Sequence, residues 1–233
     1  MQNKKRPIPL TPELKRRVGW FHVARLENQT LLKMVFKNAP LLESPLLDVG
    51  CGEKPYRTFF PHVKNYIGMQ PSDGEAVDVI GEGERLPFIK NSFRSILCTQ
   101  VLYHFKEPKD FFHECYRILS SGGKLFISAP QTWGIFEGDY FRFTNHGLRY
   151  LAESTGFRVI SIEPRGGGWM MIGSRLSAAI YGLIRHRKYY RRYAKWPIVL
   201  ICGIIQTIFG YIDKKIHNKQ ETLGWCLLAE KPL

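Results

Sequence analysis

Acid is what this sequence is short of. Twenty Asp and Glu stand against 34 Lys and Arg in 233 residues, a formal charge of +14. A surplus of that size points to an anionic partner, either nucleic acid or a membrane surface. Paired cysteines are missing as well. Cys51, Cys98, Cys115, Cys202 and Cys226 are scattered, with no two at metal-ligand spacing. That argues against a zinc framework, leaves no metal site to expect, and suits a reducing, cytoplasmic address. The amino-terminal MQNKKRPIPL lacks the apolar core of a secretion signal. Long apolar runs are scarce too: the stretch after Trp196 carries no charge for about sixteen residues, short of the ~20 that cross a bilayer as a straight helix.

Apolar residues make up 44% of the chain, which supplies a core and makes an ordered domain the expectation. Thr11 reads as an N-cap and Pro12 as a first helical position, and apolar residues then recur at helical spacing until Pro40. One helix from about 12 to 37 is expected. Short apolar runs follow as strands: PLLDVG at 45–50, then 66–69, 76–80 and 95–100. A helix with Pro108 in its first turn runs to Leu119, ended by Ser120, Ser121, Gly122 and Gly123. KLFISAP (124–130) is the next strand, Asn145 to about Ser154 the next helix, and FRVISIEP a further strand. Such alternation predicts an α/β fold, a doubly wound and mostly parallel sheet covered on both faces. The expected organisation is an N-terminal helical segment (1–40), a main domain (41–168 and 221–233) and an apolar, basic helical insertion (169–220).

Ligands of such sheets sit beyond the carboxyl ends of the strands. There the first strand runs out in LLDVGCGEKPY, where Gly50 and Gly52 permit a tight turn and close backbone approach. The second ends at Gln70, 22 residues beyond Asp48, near the spacing at which an acid usually grips a nucleotide ribose. The third and fourth run into GEGERLPF and TQVLYHF.

Asp48-Val49-Gly50-Cys51-Gly52, the place of Gln70, Leu86-Pro87-Phe88 with Ser92-Phe93, and Arg117-Ile118-Leu119 leading to Gly122-Gly123 together resemble the class I S-adenosylmethionine-dependent methyltransferases. GCGEKPY and DYFRFTNHGLRYL look like a type 11 branch with GCGxxPY and DYxRxT signatures. The similarity covers roughly residues 45–163, and a last strand is read in LGWCLLAEK. The resemblance implies a Rossmann-like methyltransferase sheet and S-adenosyl-L-methionine as cofactor. It implies that Asp48, Gly50, Cys51 and Gly52 hold the methionine end, Asp48 by anchoring the turn or, through water, the ammonium. Gln70 would bind the ribose, Glu82 the adenine amino group, and Gly83 would present its backbone to the ring. For Glu82 and Glu84 the alternative is a solvated turn.

Three positions depart from the family pattern. Gln70 stands where an acid usually accepts both ribose hydroxyls; an amide can serve both hydroxyls but without charge assistance, which weakens binding by about tenfold. Arg94 replaces an acid after Phe93, on the edge away from the ligand, and Tyr103 precedes His104 where Glu is common. These losses keep a catalytically impaired binding protein of the same fold in view.

Methyl transfer from a sulfonium needs mainly in-line positioning. His104, after the fourth strand, is the candidate base for an acceptor hydroxyl, with a ring packed under the loop as the alternative. Asp139, Tyr140 and Arg142 are candidates for orienting the acceptor, unless Asp139 and Arg142 serve to pair with each other while Thr144 caps a helix. Between Arg165 and Lys219 lie eleven bases and one acid, Asp213, so +10 of the total +14 is concentrated late. Two apolar stretches, 169–184 and 196–212, flank the basic run RHRKYYRRYAK there. The expectation is two helices lying on or dipping into the inner face of a membrane, with Trp196, Tyr189, Tyr190 and Tyr211 at the interface. A lid or dimer surface is the alternative. The partners expected are an anionic membrane surface and a small or lipid-linked acceptor, such as a lipid or lipid-linked glycan, methylated on oxygen; nucleic acid is the weaker option, since no Asn-Pro-Pro-Tyr-like base-flipping stretch is present.

Overall fold

The computed structural model describes residues 8–132, 134–135, 138–185, 188–216, 218 and 220–233. LLDV is buried along its whole length, the pattern of a strand covered on both faces. It forms β1 (Leu46–Val49) at the centre of a seven-stranded sheet ordered β3-β2-β1-β4-β5-β7-β6. The others are β2 (Tyr66–Gln70), β3 (Val79–Ile80), β4 (Phe93–Thr99), β5 (Leu119–Pro130), β6 (Arg158–Pro164) and β7 (Gly224–Glu230). All neighbours pair in parallel except β7, which runs antiparallel to both β5 and β6.

Alternate residues of the strands feed two cores. Leu47, Ile96, Ile127 and Leu227 face α3 (Pro108–Ile118) and α4 (Asn145–Ser154), while Leu46, Leu97, Phe126 and Leu228 face α2 (Arg25–Asn38).

The structure differs from the sequence reading in three places. The expected helix over 12–37 is two, α1 (Pro12–Val18) and α2. Gly19 turns to extended backbone and caps the Arg16 carbonyl, and Trp20 leaves the helical path to pack on Gly203 and donate to Thr207 Oγ1 at 3.1 Å. A tertiary contact here overrides a continuous periodicity. The expected strand at 76–80 shrinks to Val79–Ile80 because it is an edge strand that meets β2 only at Met69 and Gln70. The Ser-Ser-Gly-Gly stretch ends α3 as expected, but it is already strand, since β5 begins at Leu119 and not at Lys124. It forms an irregularity early in β5, with Gly122 at φ 72° and a register shift against Phe93 and Ser95.

Between β6 and β7 the chain leaves the sheet as a helical hairpin, α5 (Gly168–Arg185) and α6 (Lys188–Lys215). Gly173 lets the two approach: a Cβ there would meet Phe209 at 2.5 Å. The hairpin docks on α2 through buried polar groups. Gln206 accepts from Leu26 N at 3.1 Å, Arg25 donates to Thr207 Oγ1 at 2.9 Å, and Glu27 accepts from Ser174 at 2.7 Å and pairs with Arg175. From Lys195 to Lys215, α6 is long and apolar enough to cross a membrane, with mean hydropathy 1.6 and 33% of it buried. This exceeds the sequence estimate because the helix runs on through its flanking residues. Residues 186 and 187 of the basic run, and the side chains of 185–194 with Tyr189 and Tyr190 among them, lie outside the described residues.

Candidate active site

The turn after β1 is held from two sides. The Gly50 and Cys51 amides both donate to the Met69 carbonyl, at 2.7 and 3.3 Å. Gly50 and Gly52 take φ of 72° and 50°, the left-handed region that favours glycine. Their surroundings differ. A Cβ on Gly50 would strike Val101 at 2.2 Å, whereas one on Gly52 would find nothing within 4 Å. Gly50 is thus fixed by packing, and Gly52 faces open space where a ligand can approach. Asp48 lies beneath the turn, fully buried, and accepts from Tyr66 Oη at 2.6 Å. Burial pushes its carboxyl up to about 7, against the opposing effects of Tyr66 and Lys54. Asp48 therefore anchors from below. Cys51 is buried and its thiol is pushed up to about 11, chiefly by burial, so it is not a thiolate nucleophile.

Gln70 closes β2 half-buried, and its side-chain amide bonds no described residue. An amide without an internal partner at a strand's carboxyl end is free to meet hydroxyls. Glu82 is exposed, in a short bridge with Arg85. Gly83 is buried under Phe105, whose ring a Cβ would meet at 2.3 Å, a reason for glycine that involves no ligand. Glu84 accepts from Glu107 N at 2.8 Å, ahead of α3. The open side of Gly52 and the unengaged Gln70 amide fit a nucleoside with an amino-acid tail.

His104 ends a short 3-10 turn, Leu102–His104, after β4. Its ring stands 43% exposed, so it is not packed under the loop. Nδ1 lies 3.0 Å from the Gly138 carbonyl and 3.7 Å from Asp139 Oδ1. A carbonyl only accepts, so Nδ1 carries the hydrogen and the Nε2 lone pair is left exposed in the neutral ring. Asp139, its side chain buried, also takes Arg142 at 2.6 Å, and that guanidinium lies 5.4 Å from the Tyr103 ring centre. Tyr140 N donates to the Tyr103 carbonyl at 2.9 Å. The loop after β5 is thereby fastened to the His104 turn, with Thr144 capping α4 through Gly147 N. Arg94 lies at the other edge, bonded to Glu43 and Ser121.

Sequence reasoning missed several contributors. A cleft of about 560 Å³ beside this loop is lined by Thr132, Asp139, Tyr140 and Arg142 and, from α5, by Met171 and Arg175. A second, of about 520 Å³, shares Arg175 and is lined by Phe21, Ala178, Tyr181 and Val199. No local pattern marks Met171 or Arg175, because they reach the site only through the docking of the hairpin on α2. Lys54, bonded to Asp78 at 2.5 Å, ties the β1 turn to the entry of β3; its place in GCGEKPY was the available signal.

Residues 47–127 match the methyltransferase domain family. A tRNA U34 carboxymethyltransferase of Pseudoalteromonas atlantica is 30% identical over 122 residues, 45% of this chain and 36% of that relative, so the match spans about a third of the relative's length. Among solved structures, a Haemonchus contortus phosphoethanolamine N-methyltransferase 2, in complex with phosphomonomethylethanolamine and S-adenosylhomocysteine, aligns with TM-score 0.54 at 18% identity, over 88% of this chain and 53% of its own. The cyclase SpnF aligns with TM-score 0.55 at 17% identity, over 97% and 99%. Both likenesses concern the fold, and a fold does not fix a chemistry. The sheet order with its antiparallel β7 and the open glycine turn agree with the matched sequence: the chain has a Rossmann-like methyltransferase fold, and its residues 47–127 are similar to the methyltransferase domain family.

Proposed function

We propose that this protein methylates an oxygen of a lipid or lipid-linked acceptor at an anionic membrane surface, on its cytoplasmic side. One observation carries the reading: the cleft beside His104 has α5 as a wall, and the hairpin to which α5 belongs turns an apolar face outward. Ile172 and Leu176 of α5 are exposed beside the cleft-lining Met171 and Arg175. On α6, Trp196, Leu200, Ile204, Ile208 and Tyr211 recur at one-turn spacing and are all exposed, Trp196 at 66%. Lys195, Lys214 and Lys215 stand at the ends of this face. Apolar area and basic charge together favour an acidic bilayer where either alone is marginal. The apolar cleft that shares Arg175 suits the hydrocarbon part of such an acceptor.

The β1 turn, Gln70 and Glu82 would hold S-adenosylmethionine, which when bound would supply an electrophilic methyl group. The chain's own residues position and deprotonate. The Gly138 carbonyl and Asp139 fix the ring of His104, whose Nε2 is placed to take the proton of an acceptor hydroxyl. Arg142, locked on Asp139 and Tyr103, holds the acceptor loop in place.

The test compares cosedimentation with acidic vesicles, neutral vesicles and tRNA at equal ionic strength, followed by transfer of labelled methyl groups into extracted lipid. Binding that rises with acidic lipid and falls with salt, with label in lipid, is the expected result. Preference for tRNA, the substrate class named by the curated relative, would replace the acceptor assignment. Cofactor binding without transfer to any lipid fraction would favour the impaired binding protein.

A further inference from the structure

Arg165 is fully buried, directly beyond the carboxyl end of the edge strand β6. Its backbone amide donates to the Gly224 carbonyl at 2.7 Å. Its guanidinium makes one hydrogen bond among the described residues, a long one of 3.4 Å from Nη2 to Gln100 Oε1, and its Nε makes none. Gln100 is held for this purpose. Its Nε2 donates to the Ser128 carbonyl and hydroxyl at 3.2 and 3.0 Å, which leaves the amide oxygen facing the arginine. Gly224 makes room on the other side, since a Cβ there would stand 2.7 Å from Nη2.

Among the described residues, no carboxylate hydrogen-bonds or pairs with this guanidinium. The groups that act on it are Cys226, Tyr56 and Tyr103. Burial pushes the Cys226 thiol up to about 11 and the Tyr56 phenol up to about 12, and raises Tyr103 as well, so all three are neutral near pH 7. A buried lysine or carboxylate would escape by losing its charge, but a guanidinium stays protonated. An unpaired buried cation is among the costliest arrangements a fold can keep. Two of its neighbours belong to the site: Tyr56 ends the GCGEKPY turn and Tyr103 adjoins His104.

We propose that Arg165 is the receptor for the carboxylate at the methionine end of the cofactor, its fork closing on both oxygens with Gln100 as lateral support. This rests on the methyltransferase reading of the same site. The occupant comes from the cofactor and not the acceptor because the guanidinium reaches Gln100, directly after β4, and acts electrostatically on Tyr56, which belongs to the turn whose Gly52 faces open space.

Calorimetry with S-adenosylmethionine and with its decarboxylated analogue, on the full chain, tests this directly. Wild type is expected to bind the intact cofactor about ten- to a hundredfold more tightly. Arg165→Met is expected to bind both compounds alike, at the level of the analogue, and to melt no lower than wild type without ligand, because an unmatched charge has gone. Arg165→Lys, which keeps the charge without the fork, is expected to retain part of the discrimination. Equal binding of the two compounds by wild type, or undiminished discrimination in Arg165→Met, overturns the proposal. If Arg165→Met does not fold, undiminished discrimination in Arg165→Lys does so instead. Absence of any binding by wild type sinks the cofactor reading first, and that outcome is distinguishable from cofactor binding without discrimination.

Discussion

The sheet and the helical hairpin solve opposite problems. Around the sheet apolar side chains go inward and charge goes outward, with fixed polar groups kept where the strands end. In the hairpin the order is partly reversed. Glu27, Arg25, Gln206 and Ser174 are buried where it meets α2, while Trp196, Leu200, Ile204, Ile208 and Tyr211 face outward. Surface that is apolar at one-turn spacing over such a length is a poor surface for water. The comparison teaches that the hairpin docks on α2 largely through buried polar bonds, with Trp20 and Leu26 packed against Gly203 and Gly210, and leaves a stripe of apolar side chains exposed.

The contrast can be broken at either end. The largest effect is expected at the sheet edge, where His104→Ala should lower turnover by about 10²–10⁴-fold with cofactor affinity nearly unchanged; single-turnover kinetics beside calorimetry reads both. Next comes the attachment. Glu27→Ala removes one partner of a buried pair and should cost about 3–5 kcal/mol in urea denaturation, with the hairpin becoming the first region cut by protease. On the outer face, Ile204→Gln with Ile208→Gln, which removes apolar area without adding charge, should weaken vesicle binding at least about tenfold. Stability should move within about 0.5 kcal/mol, because neither side chain supports the fold. A large loss of stability would return that face to the interior of a larger assembly. Smallest is Gln70→Glu, which restores charge assistance toward the ribose and should tighten cofactor binding by up to about tenfold; unchanged affinity would place the amide elsewhere.

Much of the sheet could be read from the sequence because burial on both faces leaves continuous apolar runs, as in LLDV and KLFISAP. Places decided by partners distant in sequence could not. Trp20 breaks a helix for the sake of Gly203 and Thr207, and the edge position of β3 trims a strand to Val79–Ile80. The site divides the same way. Gly50, Gly52, Gln70 and His104 stood out as candidates because each lies at or shortly beyond the carboxyl end of a strand, and that position is a local property. Arg175 belongs to α5, and Arg165 acquires meaning only when β7 brings Gly224 beside it. Glycine itself was ambiguous: Gly83 answers to a phenyl ring and Gly52 to open space, which the letter alone does not separate.

The two ends of the hairpin meet, since Pro164 pairs with Trp225 across β6 and β7. The excursion is therefore a loop closed by a strand pair, and loop closure depends only weakly on length. Lengthening a tight turn to a loop of this size costs roughly 2–3 kcal/mol of chain entropy, since each doubling adds about 0.6. The joint between β6 and β7 is thus a place where sequence can be gained or lost while the strand register stays put. Replacing 168–221 by a short turn, with Glu27 and Arg25 neutralised together, should give a chain that still closes its sheet and no longer seeks a surface.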